Sequence, residues 1–84
     1  MEQRIAAYQL AQTALASLKT AIYSLLLENP NGMTNAQIGK SLGIYYGHSG
    51  KQEGHIPRTM LEIMEKEGVV EQKTKGGAWF VKQN

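Results

Sequence analysis

Residues 55–82 read HIPRTMLEIMEKEGVVEQKTKGGAWFVK, and the hydrophobic pattern changes period once along this stretch. Up to Glu67 the apolar residues Met60, Leu61, Ile63 and Met64 fall on one side of a helix. Pro57 sits in its first turn, where a missing N–H costs nothing, and Gly68 ends it. The spacing predicts a helix from near Ile56 to Glu67. Beyond Gly68, residues 69–73 and 78–82 are rich in β-branched and aromatic side chains. They read as two strands joined by the turn Thr74, Lys75, Gly76 and Gly77. The stretch is therefore a helix followed by a β-hairpin.

Upstream, residues 33–44 read MTNAQIGKSLGI. Thr34 with Gln37 three residues later has the form of a capping box, and Gly43 is a C-terminal stop. Between them lies a short helix over about residues 35–42, with Ile38 and Leu42 on its buried edge and Ala36 and Gly39 small enough for close helix approach. Residues 44–54 hold Gly47, Gly50 and Gly54 and read as a loop. Residues 2–28 contain neither glycine nor proline and are rich in Ala, Leu and Gln, so they read as one long helix. Asn29 before Pro30, then Asn31 and Gly32, stop it.

Within the long helix, Tyr8, Ala11, Leu15, Leu18, Ile22 and Leu25 alternate steps of three and four, which is heptad spacing. A three-helix core needs only the second half of this helix. The first half either packs back as an extra layer or pairs with a second copy, with Tyr8, Ala11, Leu15 and Leu18 as the dimer seam.

The 84 residues are 42% hydrophobic and 19% charged, with no cysteine, which bounds the chain to one small domain, 1–84, without disulfides or thiolate metal sites. A chain of this size buries only roughly 60% of its unfolded surface, so dimerisation helps it and a deep active site does not. No stretch is expected to match the ~20 apolar residues of a membrane span, and the N-terminus lacks the form of a secretory signal. A cytoplasmic location is the expectation. The charge balance is 9 basic against 7 acidic, every acid a glutamate. Between Lys40 and Arg58 the bases Lys40, Lys51 and Arg58 and both histidines face only Glu53, whereas Glu62, Glu65, Glu67 and Glu71 crowd residues 62–71. An anionic partner should meet the former segment, and again the region of Lys73 and Lys75.

Helix, short helix, helix and hairpin is the order of a winged helix-turn-helix domain. MTNAQIGKSLGI resembles the first part of a helix-turn-helix, with Ala36, Ile38, Leu42, Gly43 and Ile44 at its small and apolar positions. TMLEIMEKEGVVEQ, from Thr59, is similar to a recognition helix that ends in an acidic turn, a glycine and the first wing strand. With AWFV the resemblance spans roughly residues 18–82. The fold class it implies is mainly α with a C-terminal β-hairpin: a long helix over 2–28, a helix-turn-helix over 34–67 and a wing over 69–82. The glycine-rich connection and HIPRTMLEIMEKEGVV look loosely like winged-helix segments appended to restriction-type nucleases and bacterial defence proteins. One departure stands out. A compact helix-turn-helix has about three or four turn residues, whereas here some eleven separate Gly43 from the next helix.

In a winged helix the third helix enters the major groove by its N-terminal part. The resemblance therefore implies a duplex DNA partner for His55, Arg58 and Thr59, with Lys40, Tyr46, His48, Lys51 and Gln52 from the preceding segment and Lys73 and Lys75 from the wing. Arg58 is the foremost of these, because its planar fork suits guanine or a phosphate. Bland readings stand beside each. Arg58 can pair with Glu62 one turn on, the wing lysines can protect a sheet edge, and Tyr45 and Tyr46 can simply cover the core.

Catalytic patterns do not assemble. Glu71 and Lys73 share a strand face, as in half of a metal-dependent nuclease site, but the chain has no aspartate to complete it. Gly39, Lys40 and Ser41 lack the preceding glycine of a phosphate-binding loop. His48, Glu53 and His55 sit in a loop without the fixed geometry a metal needs. The reading is a DNA-binding protein without enzymatic activity or cofactor, either a small transcriptional regulator or the DNA-reading part of a larger nuclease or defence assembly. A protein-interaction module built on the apolar first helix, with Met60 and Ile63, is the alternative.

Overall fold

Helix α1 (Glu2–Leu27), helix α2 (Asn35–Leu42) and helix α3 (His55–Lys66) precede an antiparallel hairpin of β1 (Val70–Gln72) and β2 (Trp79–Val81). The structure, a computed structural model, describes residues 2–47 and 54–83, with side chains from residue 5 onward. The chain is thus mainly helical with a small C-terminal hairpin, the coarse class that the hydrophobic pattern predicts.

The helix boundaries follow from local chemistry. At the end of α1, Asn29 donates its side-chain amide to the Leu25 carbonyl (2.8 Å) and its backbone N–H to that of Leu26 (3.1 Å), satisfying carbonyls the helix leaves open. Both halves of the capping box at α2 are present. Gln37 N–H donates to Thr34 Oγ1 (3.2 Å), and Thr34 N–H donates to Gln37 Oε1 (2.9 Å). Its far end is a Schellman motif, with Ile44 N–H on the Gly39 carbonyl and Gly43 N–H on that of Lys40. α3 begins one residue earlier than the proline suggests, at His55, and Pro57 is buried in its first turn.

The core consists of Ile22 and Leu26 of α1, Met33, Ile38 of α2, Met60, Leu61 and Met64 of α3, Val70 and Trp79. Leu15, Leu18, Leu25, Leu42, Ile63 and Val81 pack around it. Register pairs Val70 with Val81, Glu71 with Phe80 and Gln72 with Trp79. On the other edge of β2, Met33 and Trp79 exchange backbone hydrogen bonds of 3.1 and 2.7 Å. β2 is therefore held on both sides. The strands are shorter than 69–73 and 78–82, although Lys82 N–H still donates to the Val69 carbonyl (3.1 Å) just beyond them. An ion pair of 2.6 Å joins Lys19 of α1 to Glu67 after α3, and its partial exposure limits it to at most about 1 kcal/mol.

α1 divides in two. Its C-terminal half supplies Ile22 and Leu26 to the core, whereas every residue over 5–14 is exposed. Ile5, Tyr8 and Leu10 are 56%, 67% and 72% exposed, so this half does not pack back as an extra layer on its own domain. The expectation that no stretch matches a membrane span needs correction. Ile5–Leu27 is 23 residues long with a mean hydropathy of 1.3, long and apolar enough by length and composition. The alanines of this segment, together with its leucines and isoleucines, raise the average.

Leu61 is fully buried within this core. Leu61→Ala should lower unfolding free energy in urea by about 2–5 kcal/mol, a large share of the stability of so small a domain.

Candidate nucleic-acid interface

α3 presents two faces. Pro57, Met60, Leu61 and Met64 point into the core, and His55, Arg58, Thr59 and Glu62 are exposed on the outer side. Arg58 and Glu62, one turn apart, form one wall of a groove of about 340 Å³. The opposite wall is Gln72, Lys75, Gly76 and Gly77 of the hairpin, with Trp79 and Asn35 also lining it. Gln72 Nε2 donates to the Gly77 carbonyl at 2.9 Å and so braces the turn that carries Lys75. The groove thus brings two cations, Arg58 and Lys75, together with one carboxylate, Glu62.

Asn35, which lines the groove, is a residue that the sequence pattern alone does not mark. Its Nδ2 donates to the Gly54 carbonyl (3.0 Å), while Oδ1 is buried and accepts no hydrogen bond. An asparagine as the first residue of a short helix is a weak helix former, and that was its only sequence signal.

The two hairpin lysines part company. Side chains alternate along a strand, so Gln72 shares a face with Trp79, whereas Glu71 and Phe80 take the other. Lys73 belongs with the second set. Its Nζ lies 4.5 Å from the Phe80 ring centre, in a separate hollow with Leu26, Leu27, Pro30 and Glu71. Lys75 belongs to the groove and Lys73 does not.

The long connection between α2 and α3 is closed at its base. Gly54 N–H donates to the Tyr46 carbonyl at 3.0 Å, which brings the two ends of segment 47–53 together. Ile44, Tyr45 and Tyr46, followed by Gly54, then form a path between the helices about as short as a compact helix-turn-helix turn. The Tyr45 ring fills the joint. A Cβ on Gly39 would lie 2.8 Å from that ring and 2.9 Å from Pro57, and one on Gly54 would lie 2.5 Å from the ring. Lys40 Nζ sits 5.2 Å from the ring centre on the outer side. Tyr45 therefore takes the bland role of covering the core, and Tyr46 is exposed beside it. His48, Lys51 and Gln52 lie outside the described residues, as do Ser49 and Glu53. Of the seam residues, Tyr8 and Ala11 are exposed and Leu15 and Leu18 pack at the edge of the core. Met60 is in the core and is withdrawn from any interaction surface, while Ile63 is half-buried.

Compared with protein-family models, curated proteins and solved structures, the chain matches none of them.

Gly54 and Gly43 both have left-handed backbones, with φ of 75° and 71°, but only Gly54 is crowded. Gly43→Ala should cost about 1 kcal/mol from backbone conformation alone. Gly54→Ala should cost at least about 1 kcal/mol more in the same urea titration, because its methyl group displaces Tyr45.

Proposed function

We propose that this chain binds duplex DNA as a winged helix, with the outer face of α3 in the major groove and the β1–β2 turn on the sugar-phosphate backbone. The observation that carries the reading is the placement of Arg58 and Lys75, from two different elements, in one groove. Three features add support. The order of elements suits the fold, the backbone pairing of Met33 with Trp79 docks the hairpin against the segment that enters α2, and the closed connection leaves a compact turn.

In this mechanism the N-terminal half of α3 leads. His55, Arg58 and Thr59 lie there, whereas Glu65 and Glu67 crowd its far end and would repel phosphate. Arg58 offers a planar donor pair to a guanine edge or a phosphate. Lys75, at the hairpin tip, neutralises a backbone phosphate and sets register. Glu62, one turn from Arg58 in the same groove, accepts a hydrogen bond and fits cytosine N4, so it disfavours other bases at its position. The role is that of a small regulator or of the DNA-reading part of a restriction or defence protein. Assembly with another protein through the bare half of α1 is the second reading, favoured by the exposure of Ile5, Tyr8 and Leu10.

Titration of a labelled duplex of about 25 base pairs, followed by fluorescence anisotropy at several salt concentrations, tests the proposal. Arg58→Ala and Lys75→Ala should each weaken binding and reduce the salt slope by about 1. Lys73→Ala should leave both unchanged. Salt-independent or undetectable binding at tens of micromolar sinks the reading, and equal effects of the two lysines would mean that the groove is not the contact.

A further inference from the structure

We propose that residues 8–18 of α1 are the seam of a homodimer in which two copies of the helix run antiparallel, Tyr8 against the partner's Leu18 and Ala11 against the partner's Leu15. The first support is surface area. A folded chain of 9.3 kDa should expose about 5,000 Å², and this one exposes 6136 Å². The excess is of the order that one partner contributes to a standard interface, about 800 Å². The radius of gyration, 14.0 Å, likewise exceeds the roughly 12 Å expected of a compact domain of this length.

The chemistry of the bare segment favours a second copy as occupant. Residues 5–18 carry no charged side chain, so two copies meet without like-charge repulsion. At 100° per residue, Tyr8, Ala11, Leu15 and Leu18 form one stripe, and Gln9, Thr13 and Ser17 lie on the opposite side. A bilayer would have to bury those polar groups and Lys19 as well, whereas a paired helix leaves them in water. The stripe is also continuous with Ile22 and Leu25, the part of α1 that already serves as a packing face.

Direction is set by where the domain sits on α1. From Leu15 onward the stripe is covered progressively by the chain's own core, so a parallel partner would bring both domains to the same end and crowd them. Antiparallel pairing puts them at opposite ends and opposes the helix dipoles. Seating all four stripe residues symmetrically makes the paired residue numbers sum to about 26, with the two-fold axis on the stripe side of the helix at the level of residue 13. At 1.5 Å per residue, domains centred near residue 24 of α1 then lie about 33 Å apart along the axis. That is close to the spacing of half-sites one duplex turn apart, about 34–36 Å. The half-site corollary rests on the DNA-binding reading, and the pairing does not.

Sedimentation equilibrium at tens of micromolar, without DNA, tests the pairing separately. The wild-type chain should sediment at twice its mass. Tyr8→Glu with Ala11→Glu should give a monomer that keeps its helical circular dichroism and buried Trp79 fluorescence, because both positions are exposed in the single chain. With no native cysteine to interfere, Tyr8→Cys combined with Leu18→Cys should cross-link on mild oxidation. Tyr8→Cys alone should not, since the antiparallel arrangement separates the two copies of residue 8 by about 15 Å. A monomeric wild type, including one that floats with phosphatidylcholine–phosphatidylglycerol vesicles, overturns the proposal. So does a glutamate variant that remains dimeric, or a Tyr8→Cys variant that cross-links alone.

Discussion

Two backbone hydrogen bonds between Met33 and Trp79 join the segment entering α2 to the last strand, and much of the molecule hangs on them. They fix β2 between β1 and residue 33 and press the Trp79 ring into the core formed by α1, α2 and α3. The same ring lines the groove in which Arg58 and Lys75 meet. Core packing and the geometry of the outer surface are therefore set by one contact. A hairpin of two three-residue strands is marginal in isolation. Docked this way, it can hold a lysine at a defined distance from a neighbouring helix.

The second constraint lies at the joint of α2 and α3. A glycine at position 39 lets the Tyr45 ring and Pro57 approach the α2 backbone, and Asn35 reaches across to the Gly54 carbonyl. The N-terminus of α3 lacks a side-chain cap, so its position depends on these contacts rather than on its own first turn. Arg58 N–H on the Gly54 carbonyl links that anchor directly to the start of the exposed face.

Boundaries set by local chemistry were legible in the sequence. The Thr34 and Gln37 box, Gly43, Pro57 and Gly68 place α2 and α3 to within a residue, because each acts through the backbone of its immediate neighbours. The face of a strand residue was equally legible, and the grouping of Glu71 with Lys73 comes from alternation alone. What the sequence withheld depends on tertiary placement. Nothing in Thr74 to Gly77 says that the turn swings Lys75 towards α3 while Lys73 stays with Phe80. The heptad stripe of α1 reads as one continuous surface, yet the domain covers only its later part, because the path of the chain after Pro30 decides how far the core extends. Asn35 escaped notice because its buried oxygen acquires meaning only next to Gly54 and the groove.

The hydrogen bond that closes the base of segment 47–53 also bears on how this chain can change length. When the two ends of an excursion are already tied, residues added to or removed from it leave the relative positions of the flanking helices untouched. The entropic cost of a longer loop grows only logarithmically, by roughly 0.6 kcal/mol per doubling. Tyr46 and Gly54 thus mark a point at which foreign sequence can be grafted between two helices whose mutual docking is decided elsewhere, by Tyr45, Gly39 and Pro57.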